Sequence, residues 1–174
     1  MIYLRLSILL LFLSINCTAQ SNFDFAKKQV EVWKLAKQRT IAVAKAMPEE
    51  KYSYQPTPDI KSFGQQMTHL TNSMLSMNNR FILKKRYSGR EKSASGMSKT
   101  QIITELGQAF DQVITTFQTM SDTDLQAEGK SHGAFPLTKW QSLIFMQDHI
   151  TNHRAKAVLY LRLKGIRPPS YGYN

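Results

Sequence analysis

Residues 138–165 read TKWQSLIFMQDHITNHRAKAVLYLRLKG, and this stretch decides the fold. Thr138 belongs to the residue types that cap a helix, and Gly165 stands where a C-terminal stop is expected. The interval predicts a helix from Lys139 to about Lys164. Ser142, Phe145 or Met146, His149, His153, Ala157, Tyr160 and Leu161 fall on one stripe at helical spacing. His149 and His153 are one turn apart on that stripe, so both rings are expected to point inward.

Three more segments upstream carry the same periodicity, with breakers between them. The first runs roughly from Phe23 to Met47, with apolar positions at Phe25, Val32, Trp33, Leu35, Ala36, Ile41 and Val43, and Pro48 ends it. A loop from Glu49 to Ile60 holds Pro56 and Pro58. The second segment starts near Ser62, with Gln65 three residues on as in a capping box, and continues to about Leu83. Its apolar set is Phe63, Met67, Leu70, Met74, Met77 and Phe81. Gly89 to Gly96 is a polar, basic loop, and Ser98 caps a third segment from Lys99 to about Met120. The connection from Ser121 to Leu137 contains Gly129, Gly133 and Pro136 and has room for a short hairpin. Four such segments in one domain predict an all-α fold, a four-helix bundle with long connections over residues 20–174.

The first residues read differently. Arg5 precedes LSILLLFLSI at residues 6–15, an apolar run of signal-peptide length and too short to span a bilayer as a helix. A signal peptide over residues 1–19, cleaved after Ala19, is the leading expectation. Lipid attachment at Cys17 and a retained membrane anchor are the other two readings. All three place the domain outside the cytoplasm, periplasmic or extracellular, and cleavage leaves no stable membrane span. Cys17 is the only cysteine, which excludes a disulfide framework, a cysteine zinc site and a cysteine nucleophile in the domain.

The 23 lysines and arginines outnumber the 12 acidic residues, giving a formal charge of +11. They are scattered in small groups, such as Lys27/Lys28 and Lys84/Lys85/Arg86, which reads as a solvated basic surface. Attraction to an anionic surface or an acidic substrate is the functional alternative. No nucleic-acid recognition motif is visible.

His69 lies mid-way along the second segment, beside a polar stripe of Gln65, Asn72, Ser73 and Ser76. Two inward histidines on one helix and a third on a facing helix can complete a tripod, as bundle proteins build metal sites. The competing reading is three unrelated histidines, each satisfied by a backbone or hydroxyl group. Asp148 and Asp111 are candidates to orient a ligand histidine. Asp148 neighbours His149 and so points about 100° away on an ideal helix. Trp33 and Trp140 read as core or rim packing before ligand platforms. His132, in the loop Gly129-Lys130-Ser131-His132-Gly133, reads as a surface residue that could reach a metal's open side.

Three stretches carry a resemblance: Ser62-Phe63-Gly64-Gln65-Gln66-Met67-Thr68-His69-Leu70, Gln147-Asp148-His149-Ile150-Thr151-Asn152-His153-Arg154, and the closing Lys164-Gly165-Ile166-Arg167-Pro168-Pro169. In order and separation they resemble the DinB/YfiT-like family of metalloenzymes. The resemblance implies a four-helix bundle holding one divalent metal ion, such as zinc, nickel or iron, on His69, His149 and His153. Members of that family include metal-dependent thiol transferases and an isomerase using a small thiol, so the resemblance implies thiol chemistry on a small-molecule substrate, and a homodimer is compatible with it. Hydrolysis by metal-bound hydroxide is the reading that the open site itself adds. A three-histidine site leaves positions open and can lower the pKa of a water on zinc from about 15.7 to about 7. No general base accompanies the histidines in the sequence, so a non-catalytic metal- or ligand-binding module is the alternative.

Overall fold

Each long helix starts on a side chain that satisfies its first free N–H groups. In the computed structural model, which describes residues 24–129 and 136–172, α1 spans Phe25–Ala46, α2 Phe63–Met77, α3 Lys99–Gln118, a short α4 Asp122–Gln126 and α5 Lys139–Leu163. Ser62, Ser98 and Thr138 each form a complete capping box with Gln65, Gln101 and Gln141. The start of α1 is capped twice. Asp24 accepts from the Lys27 N–H at 2.8 Å, and Asp122 of α4 accepts from Phe25 and Ala26 at 3.1 and 2.8 Å. A carboxylate there also suits the positive end of the helix dipole. Gly165 adopts φ 70° and ends α5 as expected.

The four long helices pack in a ring, α1 on α3, α3 on α2, α2 on α5 and α5 on α1. Consecutive helices α1 and α2 are therefore diagonal, and so are α3 and α5. This order explains the long connections 47–62 and 119–138, since each must cross an end of the bundle. Trp33 is fully buried, 6.1 Å from the Phe110 ring and 5.9 Å from that of Phe117. Both tryptophans are packing residues, with Trp140 partly buried at the rim of the core. Each such buried aromatic contributes about 1.5–3 kcal/mol relative to exposure.

Some expectations change. The second helix is α-helical only to Met77 and continues as a π-helical turn over Asn78–Ile82. The wider turn advances the inward register by one residue, so Ile82 is fully buried and Phe81 only partly. Lys84, at φ 54°, closes this turn. The connection after α3 contains the short α4 and then an antiparallel approach of its two ends, with the Gly129 N–H on the Leu137 carbonyl at 2.7 Å and the Lys139 N–H on the Ala127 carbonyl at 3.0 Å. Residues 130–135 between them lie outside the described residues. Among the described residues, its only sheet-like pairing is an isolated bridge between Glu128 and Thr138. Val32 and Leu35 of α1 are exposed, because α1 buries the face that carries Ala26, Val30, Trp33 and Val43. The expected leader, residues 1–19 with Cys17, and the start of the first segment at Phe23 lie outside the described residues, as does His132. No described helix is long and apolar enough to cross a membrane.

Candidate metal centre

Because α2 and α5 are neighbours in the ring, His69 meets the pair on α5. The His69 and His153 rings are 4.5 Å apart between centroids, His149 and His153 4.6 Å, and His69 and His149 5.3 Å. One nitrogen from each ring lies within 4.8 Å of the other two. Among the described residues, these three form the one cluster of histidine and carboxylate groups with metal-ligand geometry.

Two of the three rings are turned by a hydrogen-bond partner. His153 approaches Gln66 Oε1 with Nδ1 at 2.6 Å. The Gln66 amide donates to Tyr160 OH at 3.2 Å, and Tyr160 OH donates to the Lys61 carbonyl at 3.0 Å. That relay fixes which end of the amide is oxygen, so Nδ1 of His153 carries the proton and Nε2 keeps its lone pair. His69 approaches the Glu91 carboxylate with Nδ1 at 2.7 Å, which assigns the proton to Nδ1 there too. Its Nε2 has only the Ser73 hydroxyl, at 3.3 Å, and that hydroxyl can rotate away. His149 Nε2 is buried and has no hydrogen-bond partner. A buried imidazole nitrogen left unpaired is costly unless something else occupies its lone pair.

The electrostatics favour neutral rings at His149 and His153. Burial, then the neighbouring His149 and His69, pushes the pKa of His153 down to about 4. Burial also lowers that of His149, followed by His69 and Lys156, while Asp148 pulls the other way. For Glu91, burial works to raise the pKa, but hydrogen bonds from His69 and Lys61 prevail and hold it below the ordinary range. Neutral imidazoles with free lone pairs, one of them orphaned in the interior, fit a divalent ion.

Glu91 reaches the site on the loop between the π turn and α3. The Tyr87 hydroxyl ties this loop to Asn72 of α2 at 3.0 Å. Lys61 pairs with the other oxygen of Glu91 at 2.9 Å. Arg90 and Lys92 turn the opposite way and line a separate cavity of about 400 Å³ against α3.

Other predicted roles fall differently. Asp111 is not beside the histidines. It pairs with Lys37 on the surface between α3 and α1, at 2.6 and 2.7 Å, because its face of α3 is turned toward α1. Asp148 is exposed and acts on His149 only through its charge. Of the polar stripe on α2, Ser73 touches His69 and Asn72 holds the loop, while Gln65 is used in the helix cap. Sequence reasoning missed Gln66 and Glu91 as residues that orient the rings. Gln66 stands three residues before His69, a spacing that shares a helix face, so that signal was present. Glu91 sits in a loop and carried no local pattern.

The sequence profile of the DinB family matches residues 20–174. Among solved structures, the chain is similar to a DinB-like protein from Bacillus cereus, with 18% identity, a TM-score of 0.65, and 80% of this chain and 93% of that one covered. A DinB-like protein from Bacillus subtilis gives 15% identity and a TM-score of 0.65 over 82% of this chain and 96% of the other. A conserved protein from Enterococcus faecalis gives 15% and 0.63 over 81% and 97%. At these identities the likeness is one of fold. No curated protein matches the chain.

Proposed function

Since the chain belongs to the DinB family, we propose that it is an exported protein that holds one divalent metal ion on His69, His149 and His153. The observation that carries this reading is the convergence of the three rings around the buried, unpartnered Nε2 of His149. Export rests on the leader-like residues 1–19. Gln66 and Glu91 hold two of the rings in the tautomer that presents Nε2. A divalent ion on three neutral ligands keeps its full charge and supplies Lewis acidity to a substrate oxygen or sulfur. The chemistry that suits such a site is hydrolysis or group transfer on a small molecule.

A non-catalytic holding role has one observation in its favour. Glu91 is the carboxylate at the site, and both its oxygens are committed, one to His69 and one to Lys61. It orients and does not stand free as a base.

Elemental analysis of protein purified without an affinity tag tests the metal. One equivalent is expected, with loss of metal in His69→Ala, His149→Ala and His153→Ala. Full retention in all three variants would overturn the assignment. Turnover of ester, amide and thiol-conjugate panels by the metal-loaded protein then separates an enzyme from a holder.

A further inference from the structure

Arg154 follows His153 directly, yet it faces the other way. One residue along a helix is a rotation of about 100°, which turns the guanidinium from α2 toward α1. Arg154 is only 5% exposed. Its bonds go to three hydroxyls: Thr40 at 3.4 Å, Thr151 at 3.3 Å and Tyr171 at 3.2 Å. Among the described residues, no carboxylate pairs with it. A buried cation on neutral acceptors alone lacks the countercharge that buried charges ordinarily have.

The space in front of Arg154 is a cavity of about 650 Å³ between α1, α5 and the segment after α5. That is the size of a small-molecule site. Arg39, Arg162 and Arg167 also line it, and no aspartate or glutamate does. The Arg39 guanidinium stacks 4.2 Å from the centre of the Tyr171 ring, whose hydroxyl touches Arg154. Val43, Val158, Leu159 and Pro169 supply an apolar wall.

We propose that this cavity, on the far side of α5 from the histidines, binds an organic phosphate through Arg39, Arg154, Arg162 and Arg167. Several guanidinium forks suit a doubly charged group with three terminal oxygens better than a monocarboxylate, which neutralises one cation. The apolar wall takes the organic part. The site stands independently of the metal reading, since it shares no side chain with the tripod.

Isothermal titration with phenyl phosphate tests the site, with benzoate as the monocarboxylate comparison. Co-sedimentation with phosphatidylcholine vesicles containing phosphatidic acid separates a lipid headgroup from a free phosphate. Phenyl phosphate is expected to bind, and benzoate more weakly. The double variant Arg162→Gln/Arg167→Gln, at two exposed positions where folding is not at risk, should weaken binding at least about tenfold. Binding to vesicles alone, lost in the same variant, would support the site and name the headgroup as its ligand. The proposal is overturned if neither probe binds at about 10 mM phosphate, or if the double variant binds as the native protein does. It is equally overturned if His153→Ala abolishes binding, which would put the phosphate on the histidines.

Discussion

Replacing Gln66 by leucine removes the acceptor that turns His153 while keeping a side chain of similar volume in a site only 3% exposed. The 2.6 Å bond to Nδ1 is lost. Tyr160 keeps its bond to the Lys61 carbonyl, so the relay collapses only at its histidine end. His153 is then free to rotate and to exchange tautomers, and Nε2 no longer presents a lone pair at a fixed position. Loss of such a supporting partner typically costs about 10–100-fold in metal affinity, which is about 1.4–2.8 kcal/mol. The metal-free fold should lose less, about 1 kcal/mol, because the partly exposed ring can recover a bond to water. The assay is competition against a chromogenic chelator, with thermal denaturation of metal-free protein in parallel. Gln66→Glu retains an acceptor for Nδ1 and should recover most of the affinity. Tyr160→Phe, which unties the amide and also leaves the Lys61 carbonyl without its donor, should fall between native protein and Gln66→Leu. Native affinity in Gln66→Leu, within about twofold, would refute the idea that this amide sets the His153 tautomer.

Three further outcomes follow from the same geometry. Glu91→Gln keeps an acceptor for His69 but loses the charge, so metal affinity should fall less than in Glu91→Ala. Its effect on stability should be below about 1 kcal/mol, because the Lys61 pair is partly exposed; a chelator titration that ranks the two variants the other way would contradict this. For metal-free protein, His149 and His153 have folded-state pKa values below the ordinary 6.5. The unfolded chain therefore takes up protons first, and the melting temperature should fall as pH drops from 6.5 toward about 4. A profile flat over that window, followed by calorimetry, would count against it; the loss from Glu91 belongs at lower pH, near the ordinary carboxylate range. Asp122→Ala uncaps the Phe25 and Ala26 N–H groups and should cost about 0.5–2 kcal/mol in chemical denaturation. Asp124→Ala, which removes the carboxylate that accepts from the Ser121 N–H and hydroxyl in the exposed cap of the short α4, should cost less.

What was legible in the sequence was what local chemistry determines. Ser62, Ser98 and Thr138 announce their helices because a hydroxyl and a glutamine three residues on close a turn without help from elsewhere. The inward pair His149/His153 follows from spacing alone. The place of His69 does not, since it depends on which helices are neighbours. The diagonal placing of α1 and α2, and of α3 and α5, is settled by packing at the bundle ends and leaves no mark in any one segment. The π turn escaped for a similar reason: an added residue per turn shifts Ile82 inward while the apolar pattern still reads as α-helical at Phe81. Glu91 lies 22 residues from His69 and owes its position to the Tyr87–Asn72 anchor. Asp111 shows the converse, a carboxylate of suitable chemistry on a helix face that looks toward Lys37.

The adjacent residues His153 and Arg154 show why residue type alone could not apportion function here. Adjacent positions on α5 serve opposite neighbours, a neutral imidazole toward α2 and a buried guanidinium toward α1. Their environments enforce the contrast. Burial and neighbouring histidines keep His153 uncharged, which a cation-binding tripod requires. An arginine cannot give up its proton, so burial leaves Arg154 charged and in need of an anion. Two sites of opposite ligand charge can thus share one helix, on different sides of α5. A phosphate that entered the tripod instead would depend on the histidines for its binding, which is why the His153→Ala outcome separates the two.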